Sequence, residues 1–353
     1  MTSRRAPRAP AAFQVGLRRI EIDDVPMPSP KPGEVLVEMT AVGICGSDLH
    51  YFRTGRIGER PLRFPHILGH EPAGVVAALG KGVRGLRLGQ TVAIEPGISC
   101  GRCRACRLGR LNLCYHVKFL GSPGVAGAFQ RYLVMPAVCA KPVPKGVDPA
   151  LASAVEPLAV ALHSMKLVDL RRGESVGVLG GGPIGLSVLA LARARGAKVV
   201  AVSDPRPARR ATALRLGAAR AVAPADFVDA VREATGRLGA SVLFECSGAP
   251  DAFDASVAAA ERGGRIALVG IPEADAVSID SHAWRQRELE VVHIHRSNHA
   301  APPVLKQLAR GDFGLRRAGF FSETVGLDGL QRAFEELDDD ASAAVKIVVD
   351  PRA

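Results

Sequence analysis

The fold is decided by residues 175–204, SVGVLGGGPIGLSVLALARARGAKVVAVSD. A β-type run over 175–179 meets a glycine-rich turn, the turn opens an apolar helical run over 183–195, and a second β-type run over 198–203 ends at Asp204. Gly180, Gly182 and Gly185 occupy the positions of a G-x-G-x-x-G motif, with Pro183 and Ile184 between the last two. Alone, such spacing marks only a flexible turn. Between a strand and a helix, with a carboxylate nineteen residues past Gly185, it reads as the dinucleotide-binding turn of a βαβ unit. Glycines there let the backbone approach a pyrophosphate, and the helix N-terminus presents unpaired N–H groups to it. Asp204 can accept hydrogen bonds from ribose hydroxyls and repels a 2′-phosphate, so NAD is expected over NADP. Arg206, Arg209 and Arg210 keep NADP open, because a guanidinium pairs with that phosphate.

Outward from this unit the alternation continues, with a helical run over 207–216 and strand-like runs over 241–245 and 265–269. Before about residue 155 the texture differs: short β-type runs at 34–41, 74–78, 91–94 and 129–134 are separated by Gly and Pro. A mostly-β part followed by βαβ units predicts two domains, the second an α/β domain on a doubly wound parallel sheet. Residues 343–349 return to a strand pattern, so the tail is expected to rejoin the first domain. The 353 residues suffice for two cores. No apolar run reaches the roughly 18 residues of a membrane span, and no secretory signal is evident, so a cytoplasmic protein without membrane partners is expected.

The net charge of +11 invites a nucleic-acid reading. Its distribution argues against one: residues 1–20 carry five Arg and no acid, and residues 96–120 carry four Arg and one Lys and no acid. No basic face interleaved with aromatics and no recognition helix accompanies these stretches, and no nucleic-acid partner is expected. Residues 1–12, with Pro7 and Pro10, read as a disordered arm.

Four of the seven cysteines, Cys100, Cys103, Cys106 and Cys114, crowd into fifteen residues as C-x2-C-x2-C-x7-C. Four thiolates converging in a Gly-punctuated loop suit tetrahedral Zn²⁺ closed by protein ligands, a structural site. A second candidate is dispersed: Cys45, then His70 and Glu71, then Glu156. Thiolate, imidazole and carboxylate from distant loops form the mixed donor set of a catalytic zinc. On the residues alone, Cys45 as a small buried hydrophobe and His70 as a loop histidine are equally good readings.

Five segments appear in one order: GICGSDLHY at 43–51, LGHEPAG at 68–74, the four-Cys lobe, EPLAV at 156–160 and GGGPIG at 180–185. On them the chain, from about residue 13 to its end, resembles the zinc-dependent medium-chain dehydrogenases, and among these the polyol branch typified by sorbitol and xylitol dehydrogenases. The resemblance implies a GroES-like, mostly-β catalytic domain over 13–158 with a zinc lobe at 96–118. It further implies a Rossmann NAD-binding domain over 159–298, and a C-terminal segment over 299–353 returning to the catalytic domain. The active site is then expected in the cleft between the domains, in a homo-oligomer, tetramer before dimer.

Carried over position by position, the catalytic zinc ligands fall on Cys45, His70 and Glu71. Glu156 sits where related alcohol dehydrogenases place a Cys ligand; in the polyol branch it holds the zinc-bound water or the substrate. Net charge at the metal favours a Glu156 that acts through a water or binds zinc only transiently. Ser47 matches the hydroxyl that takes the substrate proton, and His50 the group that passes it to solvent. Tyr51, Phe119 and Arg296 match the polyol pocket. Asp204 and Arg209 match adenosine-side cofactor contacts, with Cys246, Val269 and Gly270 further along the cofactor. The implied chemistry is hydride transfer between a polyol and NAD. One departure stands out: the polyol pattern often has an aromatic after the pocket arginine, where this chain reads Arg296-Ser297-Asn298. The alternatives are a 2,3-butanediol or L-threonine dehydrogenase and a non-catalytic cofactor-binding relative. His293, His295 and His299 are expected to serve the interdomain surface rather than a metal.

Overall fold

The computed structural model describes residues 7–353. Six parallel strands form the sheet of the second domain, in the order Ala221–Val222, Lys198–Ser203, Ser175–Leu179, Ala240–Glu245, Ala260–Leu268, Glu290–His293. The chain starts mid-sheet, runs to one edge, then returns to build the other half. That reversal leaves a crevice beyond the carboxyl ends of Ser175–Leu179 and Ala240–Glu245. Alternating residues feed opposite faces, each covered by helices. Val242 and Phe244 join a core with Leu186 and Leu189, while Leu243 and Ile266 join another with Phe227 and Val231.

In the first domain the strand Glu34–Gly43 is central. It pairs antiparallel with Glu71–Leu79 along its length, with Tyr132–Pro136 over residues 34–38, and with Lys346–Val349 at Val42 and Gly43. Lys346–Val349 in turn lies parallel to Phe321–Val325. Val35, Val37 and Met39 point into a core with Phe52, Phe129 and Phe334, whose rings meet at 5.0 and 6.0 Å.

Two expectations need correction. The expected disordered arm over 1–12 is contradicted from Arg8 on, where Arg8–Gly16 is a strand paired with Arg19–Pro26; residues 1–6 lie outside the described residues. Pro10 is tolerated because this ribbon uses its carbonyl, which accepts from Arg131 N at 2.9 Å, and proline lacks only the donor. The domain boundaries also shift. The helix Val155–Leu167 buries Val155 and Leu158 in the second domain's core, together with Ala301, Val304 and Leu305 of the helix Ala301–Leu308. The return to the first domain therefore begins with the strand Phe321–Val325, not at residue 299.

The four-Cys lobe is tied across to the second domain by polar contacts. Asn298 Oδ1 accepts from Leu111 N at 3.1 Å, Asn298 Nδ2 donates to Gly109 O at 2.8 Å, and Asn112 Nδ2 donates to His295 O at 2.8 Å. His299 Nε2 lies 3.1 Å from Gly109 O.

Candidate active site

Three strand ends of the first domain converge on one point. Gly43 sits opposite Glu71 in the antiparallel register, and Gly43 also pairs with Val348. A Cβ at Gly43 would lie 2.2 Å from Glu71 Oε2, so only glycine leaves room for the carboxylate. Cys45 follows as the residue before the helix Gly46–Thr54, and His70 directly precedes the strand carrying Glu71. One ligand atom from each of Cys45, His70 and Glu71 falls within 4.8 Å of the others. Residues far apart in the chain thus meet as the expected donor set.

Asp48 organises this cluster. Its Oδ2 accepts from Cys45 N at 3.0 Å, and its Oδ1 accepts from Gly69 N at 3.2 Å and lies 3.3 Å from His70 Nδ1. The carboxylate fixes the proton on Nδ1 and leaves Nε2 for a metal. Ser47 Oγ lies 3.3 Å from that Nε2. Burial works against charge on His70, yet Asp48 and Cys45 beside it hold the ring well above the usual imidazole range. Metal binding must therefore displace a proton.

Glu71 has a second partner that the motifs do not reveal. Lys346 Nζ donates to Glu71 Oε2 at 2.6 Å, to Oε1 at 2.8 Å and to Ile44 O at 2.8 Å, and both charged side chains are 1% exposed. Burial opposes the ammonium, but Glu71 and Cys45 raise its pKa overall. The available signal is one lysine inside the apolar run Ala344 to Val349.

Glu156, in the first turn of the helix Val155–Leu167, lies outside the cluster of three. Removal from water pushes its carboxyl up to about 7, with His70 and Lys346 opposing and Glu71 and Asp48 adding to the shift. Tyr51 and Arg296 belong to the same neighbourhood: Tyr51 feels His70 and Arg296, and Arg296 feels Tyr51 and Glu156. Phe119 lies between, its ring 5.4 Å from that of His70 and 4.4 Å from the Arg296 guanidinium. His50 stands apart from the ligand cluster, and burial lowers its pKa below 6.5.

The four-Cys lobe also closes. Cys100, Cys103, Cys106 and Cys114 place their sulfurs within 4.8 Å of one another, with Cys103 3.5 Å from Cys106 and 3.9 Å from Cys114. A tetrahedron of sulfurs about zinc has edges of about 3.8 Å, whereas a disulfide needs about 2 Å, so the spacing fits zinc. Backbone N–H groups of Cys106 and Tyr115 pull the Cys103 thiol down to about 6, toward the thiolate that a metal requires.

At the crevice of the parallel sheet, the glycine turn is shaped as a cradle. Gly180 has φ +96°, and a Cβ at Gly185 would lie 1.8 Å from Gly180 O. Gly182 precedes the helix Pro183–Ala194, with Pro183 and Ile184 in its first turn. Asp204 ties this loop down: Oδ2 accepts from Gly181 N and Oδ1 from Arg206 N, both at 2.8 Å. Of the three arginines, Arg206 pairs with Asp340 and Arg210 donates to the Asp204 and Pro205 carbonyls. Arg209 Nη1 stands 3.8 Å from Asp204 Oδ2, over Gly182, and its buried Nε has no partner. An open cradle beside an orphaned guanidinium nitrogen fits a dinucleotide phosphate. Across the crevice, a Cβ on Gly180 would meet Cys246 at 3.0 Å, and the N–H groups of Val269 and Gly270 donate to Glu245 O. Glu245, which the motifs do not single out, shapes this wall by accepting from Ser247 N and Gly248 N. Among the described residues His293, His295 and His299 form no ligand cluster, and no helix is long and apolar enough to cross a membrane.

Residues 31–145 match the alcohol dehydrogenase GroES-like domain and residues 183–310 the zinc-binding dehydrogenase domain. A sorbitol dehydrogenase from Bacillus subtilis is 35% identical over 343 residues, 97% of each chain. An oxidoreductase/dehydrogenase of unknown specificity from Escherichia coli superposes with TM-score 0.91 at 31% identity, over 98% of this chain and 99% of that one. A zinc-binding dehydrogenase from Sinorhizobium meliloti bound to NADP superposes with TM-score 0.87 at 30% identity, over 98% and 100%. With a GroES-like domain, a Rossmann domain and relatives of this closeness, the chain belongs to the zinc-dependent medium-chain dehydrogenase family, an oxidoreductase of alcohol groups on its sorbitol dehydrogenase-like side.

Proposed function

We propose that this protein oxidises a secondary hydroxyl of a polyol, a sugar alcohol such as sorbitol or xylitol, to a ketose with NAD as hydride acceptor. One juxtaposition carries the reading: a Cys–His–Glu cluster with a further carboxylate, Glu156, beside it, in a cleft shared with Tyr51 and Arg296. The similarity to a sorbitol dehydrogenase supports it.

When bound, zinc at Cys45, His70 and Glu71 supplies a Lewis acid that brings a substrate alcohol toward ionisation near neutral pH, and NAD supplies the hydride acceptor. Ser47 takes the hydroxyl proton from the position 3.3 Å from His70 Nε2. His50 passes that proton to solvent; its lowered pKa leaves the ring neutral at pH 7 and able to accept. Glu156, whose carboxyl burial raises to about 7 in the metal-free protein, hydrogen-bonds the reacting hydroxyl or a water rather than closing the metal's shell. Tyr51, Phe119 and Arg296 orient the rest of the chain of hydroxyls. A second zinc at the four-Cys lobe is structural.

NAD is favoured because Asp204 stands at the ribose position while Arg206 and Arg210 are committed to other partners. The NADP in the Sinorhizobium meliloti neighbour makes both cofactors necessary in the assay. Seven free thiols, five of them zinc ligands in this reading and therefore needed reduced, support a cytoplasmic setting. The strand Glu290–His293 ends its sheet, an edge that supports pairing of two copies, the contact from which the proposed tetramer is built.

The test follows nicotinamide absorbance with zinc-loaded protein and NAD⁺ or NADP⁺, against sorbitol, xylitol, ribitol, L-arabinitol, galactitol, 2,3-butanediol, L-threonine and ethanol. Expected is NAD-linked turnover on a sugar alcohol, abolished by Glu156→Ala. Activity confined to the last three substrates overturns the polyol assignment.

A further inference from the structure

A cavity of about 560 Å³ opens between the zinc lobe and the turn at His295 and Arg296. Its charged and ionisable lining consists of Arg104, Arg110, His295 and Arg296, besides the Cys114 thiol and the Tyr115 phenol, and it contains no carboxylate. Part of the acid-free basic stretch over 96–120 therefore faces this cavity. None of the three arginines forms an ion pair among the described residues, a state they share with many arginines of the chain.

Arg296 is the inner member. Its backbone is held in the left-handed region at φ +59°, and its guanidinium lies 4.4 Å from the Phe119 ring, on the way to His70. Its Nη1 is buried and has no hydrogen-bond partner. A desolvated guanidinium nitrogen without an acceptor is costly, and a neutral hydroxyl compensates it only weakly. A carboxylate or phosphate oxygen compensates it fully, in the planar geometry that a guanidinium favours. Two exposed arginines on a cavity whose own lining holds no carboxylate raise the local concentration of anions there, with Glu156 lying beyond Arg296.

We propose that the polyol oxidised here carries an anionic group, a carboxylate or a phosphate, at the end remote from the reacting carbon, bound by Arg296 and drawn in by Arg104 and Arg110. The proposal rests on the polyol dehydrogenase reading and narrows it: the substrate class is a sugar acid or a sugar-alcohol phosphate rather than a neutral sugar alcohol. The group is not oxidised; it anchors the chain while a secondary hydroxyl reacts at the Cys45, His70 and Glu71 end.

The experiment compares kcat/KM of the zinc-loaded protein, with NAD⁺, on matched sets: sorbitol, gluconate and sorbitol 6-phosphate, and xylitol, xylonate and xylitol 5-phosphate. At least one anionic member should exceed its neutral counterpart by roughly 10- to 100-fold. Its kcat/KM should fall as ionic strength rises, and the Arg104→Gln/Arg110→Gln double variant should flatten that dependence. Arg296→Gln should collapse the anion-to-neutral ratio toward one, with partial rescue by Arg296→Lys. The carboxylate and phosphate arms identify which anion is used. Neutral polyols turned over as well as or better than both anionic forms overturn this inference and leave the polyol reading standing. If no compound of either set is oxidised, thermal melting with gluconate or sorbitol 6-phosphate decides separately. Stabilisation of the wild type that Arg296→Gln loses supports the anion site while the polyol dehydrogenase reading fails. No stabilisation by either anion overturns the inference as well.

Discussion

Replacing Lys346 by methionine tests how the candidate metal centre is held together. Methionine roughly keeps the volume of the lysine stem but removes the ammonium that donates to both oxygens of Glu71 and to Ile44 O. Since Glu71 is 1% exposed, no water can take over the lost contacts. Breaking one side of a buried pair costs about 3–5 kcal/mol, because the remaining charge is left uncompensated. That is a large share of the roughly 5–15 kcal/mol that holds a domain folded. The assay is urea unfolding of wild type and Lys346→Met, each stripped of metal and each saturated with Zn²⁺. The stripped variant should lose about 3–5 kcal/mol, and the zinc-saturated variant clearly less, since a metal at Cys45 and His70 gives Glu71 another cation. Adding Glu71→Gln to Lys346→Met should recover most of the loss, which a double-mutant cycle isolates. A loss under about 1 kcal/mol in the stripped protein, or equal losses with and without zinc, would refute this account of the pair.

Metal analysis should find two zinc per chain, falling to one in Cys45→Ala and to one in Cys103→Ser, the second with loss of stability as well. Zinc uptake at the Cys45 site should strengthen by about tenfold more per pH unit in the wild type than in His70→Gln while His70 is still protonated, because the metal competes with that proton; titration of both proteins with a zinc chelator from pH 6 to 8 measures it, and equal slopes would refute the assignment of His70. Glu156 has its pKa raised from 4.5 to about 7, so the folded protein holds the extra proton in that window and the group's contribution is lost as pH rises through 7. Glu156→Gln should therefore remove about 3 kcal/mol of the fall in stability between pH 4.5 and 7.5 in metal-stripped protein, read from urea midpoints. Asp204→Ala should raise the KM for NAD by about tenfold and shrink the NAD-to-NADP preference, since the glycine loop loses the acceptor for Gly181 N; an unchanged ratio would remove Asp204 from cofactor choice.

What was legible in the sequence follows from how local each signal is. The strands Ser175–Leu179 and Lys198–Ser203 match their expected bounds because buried parallel strands are short apolar runs bracketed by glycine and a charge. The four-Cys lobe is legible for the same reason: all its ligands lie within one loop. The dispersed cluster was visible only as fragments, and its convergence depends on a register, Gly43 opposite Glu71, that no local pattern encodes. Lys346 was missed because its partner lies 275 residues away. The strand Arg8–Gly16 escaped notice because its alanine- and proline-rich opening lacks β-branched residues, and pairing with Arg19–Pro26 decides its structure. The helix Ala301–Leu308 packs in the second domain and not with the C-terminal return, a difference the sequence hides because an apolar face announces burial without saying against which neighbour.

The position of Lys346 also sets an order of events during synthesis. All of the second domain's core but Val345 comes from residues up to Phe320, so most of that core can form while the final segment is still in the ribosome. The first domain cannot: its central strand waits for Lys346–Val349, and Glu71 has no buried cation until that strand arrives. The N-terminal domain is therefore the last to finish, and a nascent chain that stops short of residue 346 holds a folded cofactor domain beside an incomplete metal site.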